Sequence, residues 1–338
     1  MKSRWHAGLL LRVAIFYFTL TGVCQTVRAQ SEVHFRLAHN TLVVVPVMAG
    51  KEGPFDFVLD TGANTSVVDP TIAAHVAMVE IDTVPQTTLA GIRTLTRGVL
   101  PALSVGAMHV ENVEVVLKDL SEFRKFDSRI EGIAGQNFLA HFSYLVDYQK
   151  RVFRIEQDTE IRDAIGGDRV PLEAGENQML VLLDAQSRNH AKLRLLLDSG
   201  ANSIVLLRTA AQALELSPQA EEVATTSNGQ IGLQTGRLHE LLIGREKFHD
   251  LPVALPAAEL SNIGDGLLPT NLFTALYINS REGFVVLNPR REKLSGANGN
   301  SWETGLSLTG NRRKSQLAKS RLSRIGIQLR RSYVRRCA

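Results

Sequence analysis

Apolar residues run along this chain in short blocks, some continuous and some alternating with polar positions, and Gly, Asn and Pro separate the blocks. Thr41-Leu42-Val43-Val44-Val45-Pro46-Val47 is one such block and Val110-Glu111-Asn112-Val113-Glu114-Val115-Val116 is another. Runs this short, rich in Val, Leu and Ile and bounded by turn formers, predict β-strands. Helical signals are few, at Pro70 to Met78 and at Thr209 to Leu216. The expected fold class is therefore all-β.

The pattern occurs twice. Phe57-Val58-Leu59-Asp60-Thr61-Gly62-Ala63-Asn64 returns as Leu195-Leu196-Leu197-Asp198-Ser199-Gly200-Ala201-Asn202, an offset of 138. The same offset carries Leu42 to Val45 onto Leu180 to Leu183, Gly91 onto Gly229, Gly98 onto Gly236 and Gly106 onto Gly244. Farther on the offset falls to 134, pairing Asn137 with Asn271, so the first copy holds four extra residues, expected in the charged stretch around Phe123 to Arg129. A matched series in one register reads as an internal duplication. It predicts two related β lobes, at 30–155 and 156–290.

Each copy sets a carboxylate directly after three apolar residues. A charge there is costly unless it lies at an exposed strand end or has partners built for it. The next residues offer such partners. Gly62 and Gly200 let backbone amides and a water approach without a Cβ in the way, and the hydroxyls of Thr61 and Ser199 can bond across to the other copy. A lone Asp-Thr-Gly is a common tight turn, but two matched copies after matched strands point to shared chemistry. If the lobes pack about a twofold axis, Asp60 and Asp198 meet and share a proton, one serving as general base and the other as general acid.

These residues resemble the pepsin and retropepsin superfamily of aspartic peptidases over roughly 37–290. The resemblance implies two β-barrel lobes with the active site between them, and catalytic Asp60 and Asp198 supported by Thr61, Gly62, Ser199 and Gly200. It also implies peptide or protein substrates and neither cofactor nor metal. The family's second signature, two apolar residues and a Gly, is matched by Ile133-Ala134-Gly135. The second copy departs from it, with Pro269 in Leu267-Leu268-Pro269 where Gly is expected, which puts the packing beneath Asp198 in question. The cleft-covering flaps of the family map onto Leu89-Ala90-Gly91-Ile92 and Ser227-Asn228-Gly229-Gln230, with Ala90, Gly91, Asn228 and Gly229 as substrate-contact candidates. No flap tyrosine of the pepsin kind is present in either, so two retropepsin-like flaps fit better than one pepsin-like flap. Two other readings stay open: a peptide-binding module of the same fold without activity, and an actin or sugar-kinase type of ATP-binding fold, also built from two halves with Asp-Gly loops.

Composition adds the ends. Lys2 and Arg4, the apolar stretch Val13 to Val23 and Val27-Arg28-Ala29 before Gln30 have the layout of an export signal at 1–29. An uncleaved anchor is the alternative, although 11 residues fall short of the about 20 that span a bilayer. Residues 291–338 hold 12 Lys plus Arg against 2 acids, whereas 30–290 hold 22 against 32. The acidic body thus carries a basic tail whose composition reads as disordered, with contact to an anionic surface as its expected use. Cys24 and Cys337 are the two cysteines, so a processed chain would have no internal disulfide. With both half-sites in one chain, a monomer is expected.

Overall fold

The computed structural model describes residues 32–156, 159–174, 181–188, 190–260 and 263–291; the expected signal at 1–29 and nearly all of the basic tail lie outside them. The chain is all-β with a few short helices. Two eight-stranded sheets repeat one topology. In the first, the order is Arg36–Ala38, Leu42–Ala49, Glu52–Leu59, Ile130–Ala134, Ser66–Val68, Met108–Leu117, Gly91–Val105 and Val79–Thr88. In the second it is Glu173–Ala174, Val181–Ser187, Lys192–Asp198, Gly266–Pro269, Ile204–Leu206, Glu246–Pro256, Gly229–Ile243 and Ala220–Thr226. Each sheet folds back on itself where Leu42–Ala49 meets Gly91–Val105 and where Val181–Ser187 meets Gly229–Ile243.

A third sheet of six strands joins the two. Each half supplies three antiparallel strands: Glu32–His34, Val152–Ile155 and Tyr144–Asp147 from one, Ala275–Asn279, Phe284–Leu287 and Arg169–Pro171 from the other. The seam is the pairing of Tyr144 with Ile278 and of Val146 with Leu276. Residues from both halves contribute to one hydrophobic core beneath it.

The continuous apolar runs have a simple cause: side chains on both faces of these strands are buried, and alternation sorts them between two cores. Val43, Val45, Val47, Phe57 and Leu59 enter the common core, while Leu42, Val44 and Val58 enter a separate cluster with Val67, Val116 and Ile133. In the second lobe Leu195 and Leu197 join the common core and Leu196 a small cluster of its own. The residue after Leu59 or Leu197 therefore falls on the face of Val58 or Leu196, which is the face that lines the cleft.

Helices occur at the two expected places but are shorter, Pro70–Ala73 and Arg208–Ala213. Pro70 sits at the start of the first with Asp69 capping it, and the chain leaves helical geometry soon after because Val76 must reach the core. The four extra residues of the first copy fall where Ser121–Arg124 forms a further helical turn, carrying Phe123 and Phe126 against the cluster around Val58.

Candidate active site

Asp60 follows the strand Glu52–Leu59 and Asp198 ends the strand Lys192–Asp198. Each strand runs parallel to a neighbour that passes between the two parts of its Asp hairpin, Ile130–Ala134 in the first lobe and Gly266–Pro269 in the second. This crossing fixes the turn that follows the Asp. The amide of Gly62 donates to Asp60 Oδ1 at 2.9 Å, and that of Gly200 to Asp198 Oδ1 at 2.7 Å, with Ala201 N adding a second bond at 3.1 Å.

Thr61 and Ser199, pointing the opposite way from the carboxylates, lock the lobes together. Thr61 Oγ1 donates to Leu197 O at 2.6 Å and accepts from Ser199 N at 3.0 Å. Ser199 Oγ donates to Leu59 O at 2.7 Å and accepts from Thr61 N at 2.9 Å. Every hydrogen-bonding group in this buried knot is used, which low dielectric makes valuable. Gln136 Nε2 adds a bond to Thr61 O at 2.9 Å, bracing the first hairpin from below.

The lock sets each carboxyl group against the glycine that follows the other, so the two acids are close neighbours. Glycine is required on both sides of them. A Cβ on Gly62 would stand 2.5 Å from Asp198 Cγ, and one on Gly200 would stand 2.7 Å from Asp60 Cγ. Burial raises the pKa of both acids. For Asp198, only 8% exposed, the charge of Asp60 raises it further, while the amides of Gly62 and Ala63 and the contact with Asp198 favour the ionised form of Asp60. The pair thus holds one proton above the usual carboxylate range, biased towards Asp198.

Above the pair lies a cleft of about 870 Å³ lined by both lobes. Two hairpins close over it, Val79–Thr88 with Gly91–Val105 and Ala220–Thr226 with Gly229–Ile243. Their tips are built alike. The hydroxyls of Thr88 and Thr226 bond the carbonyls of Gly91 and Gly229 and accept from the amides of Ala90 and Asn228. Gly91 and Gly229 take φ of 105° and 118°, a region that glycine alone enters freely. The tips also touch: Asn228 Nδ2 donates to Thr88 Oγ1 at 2.9 Å and Arg93 Nη2 to Asn228 O at 3.0 Å. Leu89 reaches across to the cluster of Leu196, Leu207 and Ile263.

The structure therefore gathers Asp60, Thr61, Gly62, Asp198, Ser199 and Gly200 at one point and sets Ala90, Gly91, Asn228 and Gly229 at the meeting tips. It also adds residues that sequence reasoning passed over. Tyr148 Oη shares a hydrogen bond of 2.5 Å with Thr270 Oγ1 beneath the pair, where burial keeps its phenol protonated and the Asp198 charge adds to that. Nothing in the local pattern distinguishes Tyr148 from any core tyrosine. Lys118 is 7% exposed and lines the cleft. Burial and the nearby Arg93 charge push its pKa down to about 8, against the pull of Asp60. Its signal was present: a charge directly after the apolar run Val115 to Leu117, the placement that marked Asp60. Among the described residues no group of His, Cys, Asp or Glu is arranged to hold a metal ion.

The doubt attached to Pro269 has a structural answer. In the first lobe the amide of Gly135 donates to Ser66 Oγ at 3.1 Å. At the repeat-related positions stand Pro269, which has no amide hydrogen, and Ile204, which has no hydroxyl. Donor and acceptor are missing together, and both sites are buried.

Among solved structures, a similar one is the crystal structure of a retropepsin-like aspartic protease from Rickettsia conorii, 20% identical, with the match covering 37% of this chain and 92% of that one at a TM-score of 0.29. No curated protein matches the chain. A family model described as Aspartyl protease matches twice, at residues 45–138 and 184–272, once on each of the repeats that carry Asp60 and Asp198. Since these two stretches make up more than half of its length, the chain belongs to the aspartyl protease family.

Proposed function

We propose that the chain is an endopeptidase that hydrolyses peptide bonds with Asp60 and Asp198 as a catalytic pair. The observation that carries this reading is the reciprocal Thr61 and Ser199 lock, which sets the loops bearing Asp60 and Asp198 against each other across the two lobes. An extended peptide lies in the cleft under the hairpin tips, bonded along its backbone in the manner of an added strand. Ionised Asp60 takes a proton from a water as its oxygen attacks the scissile carbonyl carbon, and protonated Asp198 gives its proton to the carbonyl oxygen. When the tetrahedral intermediate collapses the C–N bond breaks, the proton taken by Asp60 passes to the leaving amine nitrogen, and one hydroxyl of the intermediate returns a proton to Asp198 as it becomes the carbonyl of the new acid. Neither cofactor nor metal enters these steps.

Both half-sites lie in one chain, which supports action as a monomer. The layout of residues 1–29 supports export as the route to substrate, with an uncleaved anchor as the other form, and residues 291–338 supply the charge for contact with an anionic surface. The test is cleavage of a diverse peptide library between pH 3 and 7 by the wild type beside Asp60→Asn and Asp198→Asn. Loss of cleavage in both variants supports the shared pair. Survival in Asp198→Asn would overturn it in favour of an assembly of first lobes, and absence of cleavage by the wild type at every pH would leave a peptide-binding module.

A further inference from the structure

The two halves of the cleft differ in charge although the lobes are duplicates. In the second lobe the wall is built from apolar residues such as Leu196, Val205, Leu233, Ile263 and Leu267. In the first lobe Val67, Val116 and Ile133 take corresponding places, but Lys118 stands where the repeat puts Pro256. Lys118 follows the strand Met108–Leu117, and its backbone amide is tied to Val68 O at 3.1 Å, so the side chain departs from a rigid base.

Its ammonium group has a weak set of partners for so buried a cation. Nζ donates to Gln86 Oε1 at 2.7 Å, a neutral amide on the first flap strand. Among the described residues, no carboxylate lies within ion-pair distance of Lys118 or of Arg93, the neighbouring flap cation. The acids on the same wall reach other cations, Glu122 Oε1 pairing with Lys125 at 2.6 Å while its Oε2 is buried without a partner, and Glu114 pairing with Arg97 at 3.3 Å. Asp60 pulls on Lys118 through space but is held by its own amides and by Asp198. A buried cation with one neutral partner is costly, and a carboxylate arriving in the cleft would complete it.

We infer that Lys118 makes the first-lobe half of the cleft a subsite for an acidic side chain, while the second-lobe half takes a bulky apolar one. The enzyme would then favour peptides with Asp or Glu on one side of the bond to be cut and Leu or Phe on the other. Gln86 acts as the placeholder that the carboxylate displaces or joins. A site built around a buried charge discriminates against an analogue lacking the matching group far more than an apolar pocket rejects a missing methylene.

This inference rests on the hydrolytic reading only for its kinetic arm. The experiment uses matched peptides differing as Glu against Gln at each position around the bond, with kcat/KM measured for cleavable forms and Kd for forms carrying an uncleavable isostere. The expected result is a preference for Glu of about 10–100-fold at a single position in the wild type. In Lys118→Met the ratio between the Glu and Gln peptides falls to about one, and Lys118→Arg retains the preference. Should Lys118→Met fail to fold, the wild type alone decides, because its preference in Kd must fade as pH rises through about 8, where Lys118 loses its proton. Arg93, Asp60, Glu114, Glu122 and His39 are the other charged or titratable groups facing the same wall. No preference in Kd at any position, or equal loss for both peptides in Lys118→Met, overturns the inference. A Glu preference in Kd without any cleavage would leave it standing and remove the hydrolytic reading instead.

Discussion

Thr61 and Ser199 each hold the other's backbone: Thr61 Oγ1 accepts from Ser199 N at 3.0 Å while Ser199 Oγ accepts from Thr61 N at 2.9 Å. The same two hydroxyls donate back to Leu197 O and Leu59 O, so the knot spans the lobes four times within the two loops that bear the acids. Thr61→Val keeps the shape and removes the hydroxyl, leaving a buried amide and a buried carbonyl unpaired at about 1–3 kcal/mol each. Urea unfolding should show a loss of about 2–6 kcal/mol for the two groups together, larger than for Thr61→Ser, which reproduces the chemistry Ser199 already uses in the other half. A loss no greater than that of Thr61→Ser would mean the lock does not hold the lobes.

Asp198 gives the fold a pH dependence of definite sign. Because burial and Asp60 raise its pKa, the folded chain keeps a proton over a range in which the unfolded chain has released it, so stability falls as pH rises through that range above 3.8. Asp198→Asn removes the charge and keeps the shape. Its Tm should exceed that of the wild type at pH 7, by about 2–4 °C for each kcal/mol of strain relieved, and the gain should vanish at about pH 3, where both carboxyls are protonated. Thermal unfolding at the two pH values checks this, and a variant less stable at pH 7 would contradict it.

Pro269 and Ile204 should behave as a pair. Pro269→Gly restores an amide that has no acceptor at Ile204 and should destabilise the fold by about 1–3 kcal/mol. The double variant with Ile204→Ser, rebuilding the Gly135 and Ser66 arrangement of the first lobe, should recover part of that loss. A double-mutant cycle measures the coupling directly, and additive effects would separate the two positions.

The Pro269 case illustrates where local reading ended. The departure from the repeated pattern was visible at one position, and it raised doubt about Asp198. Its compensation sits 65 residues away at Ile204, and only the strand crossing that sets Gly266–Pro269 beside Ile204–Leu206 makes the two one feature. Lys118 was missed for a related reason: a charge after an apolar run is informative, but a single copy without a repeated partner gave no cause to set it beside Asp60.

Much else was decided locally. The three apolar residues before each Asp, the Gly two positions after it and the repeat offset of 138 together specified paired β lobes and nominated both acids, because strand alternation and glycine's lack of a Cβ act over a few residues. The short helices at 70–73 and 208–213 were also foreshadowed, but their ends were set by what Val76 and Leu214 pack against. Tertiary structure alone decided how close the acids come, which of them favours the proton, that Tyr148 lies beneath them and that the hairpin tips meet through Asn228 and Thr88. Those properties depend on distances across the lobe interface and on burial by distant segments, neither of which the order of residues along one strand contains.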